Sequence, residues 1–145
     1  KILRNLLDLR RLLVPEISYC AALNRSKSDL NELERIVFQT DEIPIEEKDW
    51  RIHNLIARAS GNLLFVILLN SFTGLTRALS QLYFGIEENR IRSRKFHEEI
   101  YEAIKNKEAL QAKQVMSDVL QFAEEQTLKA FGISISGGEQ NDEQR

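Results

Sequence analysis

Apolar residues recur every three or four positions through most of this chain. From Ile2 to Leu23, the residues Leu3, Leu6, Leu7, Leu13, Val14 and Ile17 fall on one stripe, the spacing of an amphipathic helix. Pro15 either bends that helix or marks a join between two shorter ones. SKSDLNELERIVFQT then predicts a second helix capped by Ser28, with Asp29 and Glu32 suited to its first turn. DEIPIEEK reads as a connection, and a third helix spans Glu46 to Ser60, closed by Gly61-Asn62. A fourth is predicted from Leu63 to Phe84, ended by Gly85; its first two turns are apolar nearly all round, the pattern of a central element covered by neighbours. A fifth covers Glu87 to Asn106 and a sixth Glu108 to Phe131, followed by the polar segment GISISGGEQNDEQR.

The pattern predicts an all-α antiparallel bundle of six or seven helices, in which the first, third, fourth, fifth and sixth surround one internal ligand cavity. Residues 1–131 form the expected domain and 132–145 a tail expected to be disordered.

Composition narrows the function classes. The 145 residues are 43% apolar and 29% charged, with 20 Lys plus Arg against 22 Asp plus Glu and a formal charge of -2, so no basic field marks a nucleic-acid surface. Cys20 is the only cysteine, which excludes an intrachain disulfide and a thiolate zinc knuckle; its apolar surroundings predict a core residue. LLFVILL, residues 63–69, is far short of the ~20 residues needed to cross a bilayer, and the N-terminal order of residues is not that of a signal peptide, so a cytoplasmic protein is expected. The chain opens directly in helix-like sequence without a methionine, and a partner module is expected to precede Lys1.

Several polar residues interrupt the apolar stripes. Arg10 lies four after Leu6 and four before Val14, so its guanidinium either pairs internally, snorkels to water, or anchors an anionic ligand group. Asp49 and His53 stand four apart on one helical face, either a first-turn carboxylate with a core-edge histidine or half of a metal or ligand site. His97, the second of two histidines, precedes Ile100 by three and Ile104 by seven and supplies a third donor if its helix packs against the third. Asn70, Thr73, Arg77 and Ser80 form a polar stripe on the fourth helix, either a solvated face or a cavity lining that offers donors to an organic anion, with Tyr83 and Phe84 narrowing one end. Trp50 reads as a packing anchor. No glycine-rich phosphate loop, nucleophile elbow or zinc-protease motif occurs, which leaves a metal-assisted enzyme and a purely structural helical module as remote alternatives to a binding domain.

Three passages carry a resemblance: LLDLRRLLVPEISYCAAL, KDWRIHNLIARASGNLLFVILLNSFTGL and FHEEIYEAIKNKEALQAKQVMSDVL. Together they resemble the C-terminal effector-binding FCD domain of GntR-family transcriptional regulators, in the FadR-like branch. The resemblance implies an all-helical sensing domain that follows a winged helix-turn-helix module, reaches DNA only through that module, and works as a homodimer without a membrane. In metal-containing members an aspartate and three histidines line the site, and a helix-one arginine receives the carboxylate of a small organic acid. The matching positions are Arg10 for the arginine, Asp49 and His53 for the Asp-x-x-x-His pair, and His97 for the histidine of H-x-x-I-x-x-A-I. The fourth position departs, because Val119 in MSDVL stands where M-x-x-H-L has its histidine and neighbouring Asp118 faces about 100° away.

The resemblance therefore implies a divalent transition metal (Zn, Ni or Mn) on an incomplete ligand set, with a small organic acid completing it. The fatty-acid regulators of the same branch sense long-chain acyl-coenzyme A without metal, and ASGN, ILLN, the following GL and LYF resemble their equivalents. A metal-independent acyl sensor is the alternative.

Overall fold

The computed structural model describes residues 2–39 and 42–132, and among them it contains helices and no strand. Apart from Gly132, the tail expected over 132–145 lies outside the described residues.

Helix α1 (Ile2–Asn24) is one continuous helix with Pro15 buried inside it. Its inner face carries Leu6, Leu7, Val14, Ile17, Ala21 and Ala22, and the small residues near its end allow close packing. α2 (Lys27–Gln39) is capped by Ser26 rather than Ser28. Asp29 N donates to Ser26 Oγ at 3.0 Å and Ser26 N donates to Asp29 Oδ2 at 2.9 Å, a reciprocal capping box that Ser28, already inside the first turn, cannot make. α3 (Ile45–Ala59) follows Pro44, has Glu46 and Glu47 in its first turn, and ends where Gly61 takes φ +79°. Asn24 Nδ2 donates to Ser60 O at 2.9 Å and ties this terminus to the end of α1.

The fourth predicted helix is two helices. α4 (Leu63–Ser71) and α5 (Thr73–Phe84) meet at Phe72 with a bend of 65°. Around the break, side-chain hydroxyls take backbone carbonyls: Ser71 Oγ bonds Ile67 O, Thr73 Oγ1 bonds Asn70 O and Thr76 Oγ1 bonds Phe72 O. α4 is not the central element its composition predicted. It has no buried residue, and Leu63 and Leu64 are 71% and 70% exposed; only Phe65, Val66 and Leu69 rest against the core. A helix this short, joined to the bundle at its edges, has one side for the core and leaves the rest outward.

α6 (Glu87–Lys105) and α7 (Ala109–Ala130) complete the fold. α1 packs most extensively against α7, and α6 lies against α7 and α2. The core is drawn from α1, α2, α3, α6 and α7, with Ile17, Ile52, Ile100, Ala112 and Met116 fully enclosed. Arg25 closes the end of α6 by donating to Ile104 O and Lys105 O at 3.0 and 2.7 Å, a cation where the helix dipole is negative. Cys20 is half-buried rather than enclosed. Among the described residues no single helix is long and apolar enough to cross a membrane.

Candidate functional site

The expected single cavity is divided into two adjoining chambers. The larger, ≈ 300 Å³, opens between α1, α3 and the α4–α5 arm, and includes Arg10, Trp50, Asn54, Thr73 and Arg77 in its wall. The smaller, ≈ 60 Å³, reaches into the bundle between α1, α5, α6 and α7, where an apolar set of Leu7, Leu79, Phe84, Phe96 and Val119 shares the lining with Arg11, Ser93, Glu124 and Thr127. Arg10, Asp49, His53, Thr76 and Ser80 line both, so the polar cluster is the partition between them.

The cluster is assembled from four helices, with Arg10 from α1 and Thr76 and Ser80 from α5. Asp49 and His53 project from successive turns of α3, with His53 Nε2 3.5 Å from Asp49 Oδ2. α6 brings in His97, whose Nε2 sits 2.8 Å from Asp49 Oδ1. His53 also stacks on Phe96, ring centroids 5.6 Å apart, which fixes its plane. Burial pushes the Asp49 carboxyl up, but His53, the hydrogen bond from His97 and the Arg10 charge outweigh it and hold the group below the ordinary carboxylate value. Burial pulls His53 down, and Asp49 only partly offsets this against Arg10 and His97. Burial likewise lowers Arg10, opposed by Asp49 and Glu124.

Arg10 is distinguished by its lack of a close partner. Among the described residues no carboxylate lies within 4 Å of its guanidinium, whereas neighbouring Arg11 pairs with Asp8 at 2.8 Å and approaches Glu124 at 3.6 Å. Asp49 is occupied by two imidazoles, and Glu124 by Arg11 and Arg4.

The polar stripe of the predicted fourth helix is cut by the break at Phe72. Thr73 and Arg77 line the larger chamber and Ser80 lines both, but Asn70 lies exposed outside both linings, with its carbonyl accepting from Thr73 Oγ1. Arg77 is half-committed already: it lies over the Trp50 ring at 4.4 Å and approaches Glu47 at 3.4 Å. Tyr83 and Phe84 line the smaller chamber, their rings edge-to-face at 4.9 Å. Sequence reasoning did not single out Thr76, Ser93 or Glu124 as lining. Thr76 falls three after Thr73, a signal obscured once the stripe is followed through Arg77 instead.

The three donors converge, yet their arrangement does not suit the metal that the resemblance implies. Among the described residues no group of three or more His, Cys, Asp and Glu side chains is placed to hold an ion. An ionised Asp49 can only accept, so His97 Nε2 carries the proton of their hydrogen bond. His97 Nδ1 is buried without a partner among the described residues. A metal at Nε2 would move the proton to Nδ1 and leave there a buried N–H with no acceptor among the described residues. Histidine ligands ordinarily have that second nitrogen satisfied. The fourth position is Val119, 4% exposed and without a donor atom.

Comparison with known proteins agrees with this architecture. A fatty acid metabolism regulator protein of Shewanella sp. (strain MR-7) is 30% identical over 89 residues, 60% of this chain and 37% of that protein. Those of Shewanella putrefaciens (strain CN-32 / ATCC BAA-453) and Shewanella frigidimarina (strain NCIMB 400) are 37% and 39% identical over 54 and 49 residues, 37% and 34% of this chain. These matches span 23% and 20% of the two relatives, so the chain aligns with only a minor part of each curated protein. The sequence pattern of the FCD domain matches residues 5–122, from the first turn of α1 to the second half of α7, and the chain belongs to the FCD domain family.

Proposed function

We propose that this chain is the effector-sensing half of a FadR-like, GntR-family transcription regulator, and that its effector is a small organic acid whose carboxylate is received by Arg10. The observation that carries this reading is a guanidinium set in the wall of both chambers with no carboxylate at ion-pair distance among the described residues. A planar donor fork in a half-enclosed wall suits a carboxylate, which it can hold through two parallel hydrogen bonds. Ser80 supplies a hydroxyl in the same wall, those of Thr73 and Thr76 being donated to backbone carbonyls, and Arg77 adds positive charge across the larger chamber. The ≈ 300 Å³ of that chamber lies at the bottom of the range for small-molecule sites, about 300–1,000 Å³, and so favours a small acid.

Binding acts by selecting one arrangement of the domain over another. An effector that contacts α1, α3 and the α4–α5 arm together stabilises the conformations in which those elements are close, and that differential affinity biases DNA-reading modules attached before α1. The regulator works in the cytoplasm as a homodimer, matching two-fold symmetric DNA. The family is regulatory, and the proposal involves no chemical turnover. A second reading rests on the relatives named fatty acid metabolism regulator proteins: an acyl ligand whose chain enters between the helices and whose head group remains outside.

Titration calorimetry with short monocarboxylates, hydroxy acids, di- and tricarboxylates and long-chain acyl-coenzyme A separates the readings. A small acid should bind, and Arg10→Ala should weaken it about 10- to 100-fold, the loss of a charge-assisted hydrogen bond. Acyl-coenzyme A binding that is indifferent to Arg10→Ala, with no small acid bound, would replace the first reading by the second.

A further inference from the structure

Resting on the carboxylate reading above, we infer that this site holds an aliphatic monocarboxylate directly, without a resident metal, and that Val119 is the residue that sets this preference. Two independent features of the cluster lead there. Asp49, the one carboxylate of the donor set, already has each oxygen facing an imidazole nitrogen, at 2.8 Å from His97 and 3.5 Å from His53. These contacts hold the partition together as a self-contained hydrogen-bonded unit, in which His97 is enclosed and His53 is braced on Phe96.

The second feature is what Val119 does for the smaller chamber. It lines the same ≈ 60 Å³ space as Asp49 and His53 and belongs to its apolar wall with Leu7, Leu79, Phe96 and Leu120, while Arg11, Ser93 and Glu124 make up the polar remainder. An imidazole there would add a fourth donor to the chamber that holds Asp49 and His53; the isopropyl group instead continues the apolar wall of the chamber that Arg10 also lines. A metal rewards acids that chelate, with a hydroxyl or second carboxylate next to the first. A guanidinium beside an apolar wall rewards the opposite: one carboxylate at Arg10 and a short hydrocarbon tail directed past the partition along Leu7, Leu79 and Val119.

The test uses the whole 145-residue chain after chelator treatment, with Zn²⁺ alone and butyrate alone as probes. The wild-type chain should take up no stoichiometric Zn²⁺ at micromolar concentration. Butyrate should bind equally with and without EDTA, and 2-hydroxybutyrate should bind no tighter than butyrate. Val119→His should gain one Zn²⁺ site at least about 100-fold tighter than any wild-type binding, since even outer-sphere partners of a metal site are worth about 10- to 100-fold. In the zinc-loaded variant, 2-hydroxybutyrate should become the tighter ligand. Val119→Cys, closer to valine in volume, carries the same expectation for Zn²⁺ uptake if histidine disturbs packing, and Val119→Leu should gain none. One equivalent of Zn²⁺ on the wild-type chain, lost in His53→Gln, would overturn the inference; so would failure of both donor variants to bind Zn²⁺. Neither zinc result touches the carboxylate reading, which stands or falls with the whole panel of acids and Arg10→Ala; a hydroxy acid or dicarboxylate that binds where butyrate does not would overturn this inference and leave that reading standing.

Discussion

The arm of α4 and α5 is made from more apolar sequence than the bundle of α1, α2, α3, α6 and α7, yet it buries less of it. In the bundle each apolar stripe has a facing stripe, and residues such as Ile52, Ile100 and Met116 are completely enclosed. In the arm, Phe84 is the sole buried side chain among the described residues, while Leu63, Leu64, Ile67 and Leu82 are more than half exposed. The larger chamber lies at the seam between the two, with Leu6, Arg10, Val14 and the α3 face on one side and Leu69, Phe72, Thr73 and Arg77 on the other. A rigid wall facing a lightly attached one gives a ligand something to align against and something to move.

The sharpest way to break this comparison is to truncate equivalent apolar residues on each side. Ile100→Ala, fully enclosed, should cost about 2–5 kcal/mol in chemical denaturation. Leu64→Ala, mostly exposed, should stay within about 0.5 kcal/mol. Equal costs would mean that α4 is covered in solution. Next comes the joint between the halves: Gly61 takes φ +79° with ordinary clearance for a Cβ, so Gly61→Ala should cost about 1–2 kcal/mol from backbone strain alone.

A smaller effect comes from pH. His53 is held below its ordinary 6.5, so as pH falls through that value the unfolded chain takes up a proton that the folded protein does not, and stability declines. Asp49 is held below its ordinary 3.8, so its contribution is present above that pH and is lost as pH falls through the lower folded value. Both act in the same direction, and thermal midpoints should fall steadily from pH 7 to pH 4. His53→Gln should flatten the upper part of that slope and also make the lower part shallower, since His53 leads the groups that hold Asp49 down. The gentlest probe is hydrogen exchange, in which amides of α4 and α5 should exchange faster than those of α6 and α7, with α5 slowing when an acid binds.

How much of this was legible depended on whether the cause was local. The stripe Leu6, Leu7, Val14, Ile17 marks α1, and the pairing of Asp49 with His53 follows from helical spacing alone. The break at Phe72 was hidden because Ser71, Thr73 and Thr76 are compatible with a helix until their hydroxyls are seen bonding backbone carbonyls. That break also removed Asn70 from the lining, since a stripe drawn through 70, 73, 77 and 80 presumes one unbroken helix. The apolar run 63–69 was misread as central because hydrophobicity states a preference for burial and says nothing of whether a neighbour is there to provide it. His97 reached the site through the packing of α6 on α3, a contact that only the family resemblance could suggest in advance. Val119 had significance by the same route, as a departure from a pattern.

Pro15 gives α1 a lever arm. Its nitrogen has no hydrogen to offer the carbonyl of Arg11, so the helix lacks one internal tie one turn after Arg10. Ile17, Ala21 and Ala22, beyond the proline, are locked in the core, whereas Leu6 and Arg10 before it face the chambers. From Pro15 back to Ile2 the helix extends about 20 Å at 1.5 Å per residue. Pivoting that segment by about 10°, against the packing of Leu6 and Leu7 and the approach of Arg4 and Arg11 to Glu124, carries its tip about 3.5 Å. A push on Arg10 is thereby multiplied toward the start of the chain, with the fulcrum fixed by the least extensible part of the fold.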